Sequence, residues 1–238
     1  MHRKKVIAQL LPYYLWFLAV GILLIYLFCQ GKIPFILTSA EENARYFIID
    51  AGHGGVDGGA TSCSGVLESH INLQIALRLD DLMHLLGMNT VMIRTTDISV
   101  YTKGNTIAAK KISDLKERVR IANSMKNAVL ISIHQNTFSQ EKYSGAQVFY
   151  ANTPGSRLLS ENIQKEFIAA LNKDSHRAAK PSKGVYLMDH ILCTGVLIEC
   201  GFLSNEQEDQ LLQSAEYQKK ICCVIAASCS NYTGLDIS

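Results

Sequence analysis

From Tyr46 onward two rhythms of apolar residues alternate along the chain. Runs such as Tyr46–Ala51, Ala128–Ile133 and Val196–Glu199 are apolar on both parities and read as strands buried on both faces. Between the first two, Ile71, Ile75, Leu79, Leu82 and Leu86 recur at helical spacing, so a helix is expected from about Leu67, ended by Gly87 as its C-terminal cap. Further strands are expected at Asn89–Arg94, Ala146–Tyr150 and Val185–Met188. Further helices are expected around Asp114–Met125, from about Ser156 to Leu171, and in the tail through Tyr217, Ile221, Val224 and Ile225. The polar segment Thr95–Ser113 reads as a surface excursion. This alternation predicts an α/β fold: a three-layer sandwich with a mostly parallel central sheet and helices on both faces.

The N-terminal stretch follows neither rhythm. Val6–Cys29 is uncharged and apolar and follows Arg3, Lys4 and Lys5, which makes it long enough for a bilayer core of about 30 Å and places the N-terminus in the cytoplasm. Its length favours a retained membrane anchor over a cleaved signal segment, although Thr38-Ser39-Ala40 offers small residues at which a signal could be cut. Either way residues 1–40 are expected to form the anchor or signal, and residues 41–238 a single domain that faces outward, membrane-anchored or secreted.

Charge and cysteine content narrow the function classes. The net charge of +2 depends on Arg3, Lys4, Lys5 and Lys32; without them residues 41–238 carry −2, so no basic face for nucleic acid is evident. The seven cysteines are odd in number and scattered, which argues against a disulfide framework, and no C-x-x-C pair offers a zinc ribbon. Cys222, Cys223 and Cys229 read as small hydrophobes of the tail helix.

Chemistry concentrates at one place. The stretch "IIDAGHGGVDGGA" (Ile48–Ala60) is rich in glycine but is neither a dinucleotide loop nor a P-loop, since it lacks both G-x-G-x-x-G and Gly-Lys-Ser/Thr. Instead it sets His53 at the exit of a buried strand. His134 ends a second core strand and Glu199 a third, while Glu68 opens the helix after the glycine loop, close enough in sequence to fold back beside His53. A carboxylate in a first helical turn complements the helix dipole on its own account. Two imidazoles and a carboxylate also make a zinc ligand set that leaves a position open for water, and Glu199 is placed to move that water's proton.

The blocks "DAGHGGVDGGA", "LESHINLQIA", "KERVRIANS", "ISIHQN" and "VLIECGFLSN" together resemble the zinc-dependent N-acetylmuramoyl-L-alanine amidases of bacterial cell walls, over about residues 45–230. The resemblance implies Zn2+ held by His53, Glu68 and His134, Glu199 as the catalytic carboxylate, and peptidoglycan as substrate. "SGAQVFY", "KGVYLM" and "GFLSNEQEDQLL" look most like the germination-specific branch, which implies removal of stem peptides in the spore cortex ahead of muramic lactam formation. Ala51 stands where the family often has proline and Gln135 where it often has alanine; neither is expected to touch the ligand set.

Cys63 lies in the loop beside the site, His70 points away from Glu68, His84 is expected on an exposed face, and His190 is expected after a strand. Arg118 is expected in a structural ion pair, and Cys200 on the face opposite Glu199. No wall-binding repeat is evident, so targeting is expected to rest on the leader or on an accessory protein partner at the wall. A non-catalytic wall-binding or assembly protein and a zinc peptidase cutting within the stem are the rival readings.

Overall fold

The computed structural model describes residues 13, 15–23, 26 and 44–234. The chain divides into two units, Met1–Ala44 and Arg45–Ser238. In the first, residues 15–23 are helical; the remainder of the apolar run Val6–Cys29, apart from residues 13 and 26, lies outside the described residues. Among the described residues no helix is long and apolar enough to cross a membrane.

The second unit runs β1 (Tyr46–Ala51), α1 (Glu68–Leu85), β2 (Asn89–Met92), α2 (Ile107–Asn123), β3 (Ala128–Asn136), β4 (Gln147–Tyr150), α3 (Ser156–Ala170), β5 (Lys180–Pro181), α4 (Tyr186–His190), β6 (Thr194–Phe202), α5 (Glu206–Gln213) and α6 (Ala215–Gly234). The six strands form one sheet in the order β2-β1-β3-β6-β4-β5. Every pairing is parallel except that of β4 with β6.

Strand parity explains why the central strands carry no polar face. Phe47, Ile49, Val129, Ile131, Val196 and Ile198 pack on one side against Ile75 and Leu79 of α1, Phe167 of α3, and Ile221 and Ile225 of α6. Ile48, Leu130 and Leu197 pack on the other side against Ala122 of α2 and Leu187 and Met188 of α4. Each such fully buried side chain stabilises the fold by about 1.5–3 kcal/mol. The expected three-layer α/β sandwich is the fold observed.

Three elements depart from expectation. Val185–Met188 is not a strand: Tyr186–His190 is a short helix whose end is tied to Asn123, which donates to the His190 carbonyl (3.1 Å) and accepts from the Leu192 N–H (2.8 Å). Helix α2 begins seven residues before Asp114, at Ile107, where the Thr106 hydroxyl caps the Ala109 N–H at 3.2 Å. The tail holds two helices rather than one, the first capped by the Asn205 side chain on the Glu208 N–H (3.0 Å).

What positions the site is the run β1-β3-β6. These strands are adjacent and parallel, so their carboxyl ends share one edge, with Ala51 beside Ile133 and His134 beside Glu199. The pairing of β3 with β6 shifts between His134 and Asn136, immediately past the candidate side chains.

Candidate active site

His53 occupies the left-handed region (φ 60°), which an imidazole adopts only when its surroundings impose it. They do so through the backbone. The Arg118 guanidinium donates to the carbonyls of Ala51 (2.9 Å) and His53 (2.7 Å), while Arg94 donates to those of Ala51 (2.8 Å), Gly52 (3.0 Å) and Ser69 (2.9 Å). A phosphate cradle would turn N–H groups toward an anion. This loop instead has its carbonyls held by two buried cations.

Beyond His53 the chain closes a tight turn in which Gly54 and Asp57 exchange backbone hydrogen bonds of 2.7 and 3.1 Å. The turn aims Asp57 at His53: Nδ1–H donates to Asp57 Oδ2 at 3.0 Å, and Lys111 Nζ pairs with the other oxygen at 2.7 Å. The opposite ring nitrogen, Nε2, faces Glu68 Oε2 at 3.3 Å.

Glu68 is buried at the first position of α1, and both of its oxygens are engaged. Oε2 accepts from the Ala60 N–H (3.0 Å); Oε1 accepts from the Gln135 N–H (3.1 Å), Asn72 Nδ2 (3.2 Å) and His134 Nδ1 (3.0 Å). The two imidazoles meet edge to face, centroids 5.0 Å apart. Two glycines make room for them. A Cβ on Gly52 would lie 2.3 Å from the His134 ring, and one on Gly59 would lie 2.6 Å from Glu68 Oε2 and 2.7 Å from His53 Cδ2.

His53, Glu68 and His134 thus each offer a ligand atom, all within 4.8 Å of one another. Glu199 is not part of that group. It shares register and parity with His134 one strand over, so its carboxylate leaves the same face of the sheet, and its Oε2 is buried with no hydrogen-bond partner among the described residues. Two borderline-soft nitrogens and one carboxylate, beside a partnerless buried oxygen, fit a small divalent cation and a polar molecule bound next to it.

The electrostatics divide the two carboxylates. Burial alone would push Glu68 up, yet hydrogen bonds and charge from His134 and His53 hold it well below the usual carboxylate range. Burial likewise opposes charge on His53, but Glu68 and then Asp57 raise it to about 9. Glu199 lacks such donors, and burial pushes it up to about 7, against the opposing pull of His134.

Other residues fall as expected or need correction. Arg118 is the expected structural ion-pair partner, buried between Asp50 and Asp114. Cys200 packs in the core on the α1 side of the sheet. His70 pairs with Asp97 at 3.1 Å, and His84 is exposed beside Asp80. His190 ends a helix rather than following a strand, stacked on Tyr186 with centroids 4.0 Å apart. The Cys63 thiol donates to Asp209 at 3.2 Å and lies outside the His53, Glu68 and His134 group. Gln135 does touch the set, since its N–H bonds Glu68 and its side chain donates to Asn72 Oδ1 at 3.1 Å. Arg94, Asp57 and Asn72 were not anticipated. The acid in "GHGGVDGG", four residues after the histidine, was the one available signal among them.

Residues 47–231, which include all four candidate side chains, match the family model described as N-acetylmuramoyl-L-alanine amidase. The chain belongs to that family. Among relatives of this amidase chain, the germination-specific N-acetylmuramoyl-L-alanine amidase of Bacillus subtilis is 35% identical over 189 residues, 79% of each chain. The CwlD amidase of Clostridioides difficile, solved in complex with the GerS lipoprotein, is 39% identical with a TM-score of 0.77, covering 81% of this chain and all of that one. A second N-acetylmuramoyl-L-alanine amidase, from Clostridium difficile 630, is 28% identical with a TM-score of 0.71, covering 82% and 99%.

Proposed function

We propose that this chain hydrolyses the amide between the lactyl group of N-acetylmuramic acid and the L-alanine of the stem peptide in peptidoglycan. The observation that carries the reading is the convergence of His53, Glu68 and His134 beside a buried Glu199 oxygen with no partner, in a chain of the amidase family. His53, Glu68 and His134 would hold a divalent ion, which we take to be zinc. When bound, such an ion polarises a carbonyl and lowers the pKa of a water from 15.7 to about 7.

The chain's own groups do the rest. Glu199, whose Oε2 has no hydrogen-bond partner among the described residues, accepts the proton of the attacking water and returns it to the departing alanine nitrogen, a role suited to a carboxyl poised near neutral pH. Glu68, whose oxygens face the two imidazoles and the Ala60 and Gln135 N–H groups, serves to hold the ion rather than to transfer a proton. Asp57 holds His53 Nδ1–H and thereby directs Nε2 inward.

The spore cortex is the wall this reading favours, because relatives at 35% and 39% identity are a germination-specific amidase and a CwlD amidase. It places the domain outside the cytoplasmic membrane, held or exported by residues 1–40. An accessory protein at the wall is part of the proposal, by analogy with the relative solved together with a lipoprotein.

Incubating the full chain with purified peptidoglycan is expected to release peptides whose N-terminal residue is alanine, read by mass spectrometry. Release of shorter fragments cut within the stem points to a peptidase, and binding without release points to a wall-binding protein. Asp57→Ala is expected to weaken metal affinity about 10–100-fold, measured by competition with a chromogenic chelator, because the ring loses its orienting acceptor. Unchanged affinity removes Asp57 from that role.

A further inference from the structure

Beyond the strand ends that carry His134 and Glu199, the surface continues into two neighbouring depressions. The first, of about 290 Å³, includes Asn136, Phe138, Tyr143 and Phe202 in its lining; the second, of about 810 Å³, is lined by Lys142, Lys173, His176 and Lys180. Tyr143 and Arg177 line both, so the two adjoin. Asn136 follows His134 by two residues and Phe202 follows Glu199 by three, and the pair share a register position. At about 3.3 Å per strand residue the aromatic slot therefore opens roughly 7–10 Å from the reacting groups.

The slot is built rather than incidental. Tyr143 stacks with Phe202 (centroids 6.3 Å), Phe138 meets Tyr143 edge on (4.9 Å), and the Arg177 guanidinium lies 5.1 Å over the Phe202 ring. Buried Glu208 ties its two walls together by accepting from the Gly145 N–H (2.8 Å) and the Phe202 N–H (2.8 Å). Arg177 is held by the Ser144 carbonyl at 3.2 and 3.3 Å, and Asn172 by the Ala146 N–H at 3.1 Å. The cleft wall beyond the slot is thus preorganised.

Five cationic or protonatable side chains line the larger cleft with a single acid, Asp174, and among the described residues none of the five forms an ion pair. In a domain of net charge −2 this is a local reversal of sign. Like charges gathered on one concave wall focus a positive potential and await an anion.

We propose that this cleft reads the carboxylates of the stem peptide, with the aromatic slot guiding the peptide from the scissile amide toward Lys142, Lys173 and Arg177. The proposal rests on the amidase reading above and adds the substrate determinant. An extended peptide advances about 3.3–3.6 Å per residue, so the third stem residue reaches the slot and the residues after it reach the cleft when the lactyl–alanine amide is at Glu199. That end of the stem carries its free C-terminal carboxylate, which distinguishes it from a peptide with neutral ends and side chains.

The test is a comparison of KM on two soluble muramoyl peptides, one with free stem carboxyls and one with the same carboxyls converted to carboxamides. The full parent chain is expected to show a KM about fivefold to tenfold lower for the carboxylate form, with kcat similar for both. In the double variant Lys142→Gln, Lys173→Gln that KM ratio is expected to fall close to one. Both lysines are exposed, so the variant keeps its fold, which an unchanged Tm and circular dichroism spectrum check. A ratio that persists in the variant, or is absent in the parent, overturns the cleft assignment and leaves the amidase reading intact. Failure of the parent to release alanine-terminated peptide from either substrate overturns both.

Discussion

Replacing Glu199 with glutamine is expected to lower kcat for peptide release by about 10²–10⁴-fold while the protein remains folded and binds metal as before. The substitution keeps the size and planarity of the side chain, and Glu199 lies outside the group of His53, Glu68 and His134, so neither the sheet nor the ligand set should respond. What disappears is a basic oxygen. Glu199 Oε2 is buried without a donor, and burial raises its carboxyl toward neutrality, where it can both take a proton from water and give it to an amine within one turnover. Measuring kcat, bound metal by elemental analysis and Tm on the same preparation separates this role from a structural one. Undiminished turnover by the glutamine variant removes Glu199 from the reaction, and lost metal would assign it to the ligand set instead.

Arg118→Ala is expected to destabilise the domain by about 3–5 kcal/mol, because it leaves Asp50 as a buried charge without its hydrogen-bonded cation. Asp50 is almost wholly inaccessible; its remaining partner would be the Ser132 hydroxyl at 2.6 Å. Lysine at the same position restores charge but not the fork that reaches Asp50, Asp114 (2.6 Å) and two carbonyls at once, so Arg118→Lys is expected to recover only part of the loss.

The pH dependence carries its own signature. Burial opposes charge on Asp50, and Arg118, Ser132 and His134 together still hold it below the usual carboxylate range. In the parent this contribution is complete above the unfolded aspartate pKa and fades as pH falls through the lower folded value. Without Arg118 the same buried carboxyl is driven upward, so protonation relieves the variant as pH falls. The Tm difference between parent and variant is therefore expected to be largest at neutral pH and to narrow in acid. A constant difference across that range would show that the loss is one of packing alone.

The layers of the fold were legible because the central strands had to be apolar on both faces, a pattern that few other architectures impose. Three of the four candidate side chains stood out for a related reason: a histidine or glutamate at the end of a buried strand has no packing purpose, and His53, His134 and Glu199 each follow or end one, whereas Glu68, in a first helical turn, stood out only through the short loop that separates it from His53. Short-range detail was less legible. Val185–Met188 is a short apolar run of strand-like length, but Leu187 and Met188 are both buried against the α2 side of the sheet, a demand that one helical turn meets. Ile107 and Ile112 are exposed, so the first turns of α2 give no amphipathic signal. The two-residue strand Lys180–Pro181 lies at a sheet edge, where proline is tolerated and no burial pattern marks the pairing. Arg94 looks in sequence like a solvated residue at a strand end, and the cationic wall has no sequence signature because β4 and α3 stand between Lys142 and the lysines at 173 and 180.

Arg94 and Arg118 reach the glycine loop from 42 and 65 positions away in sequence. The local turn that aims Asp57 at His53 leaves the carbonyls of Ala51, Gly52 and His53 to these two arginines, so part of the loop's shape is borrowed from segments that arrive only when the sheet and its outer helix have assembled. Catalytic competence is for that reason a property of the whole cooperative unit: no excised peptide spanning the histidine would present it correctly, and the polypeptide stays inert until folding is complete.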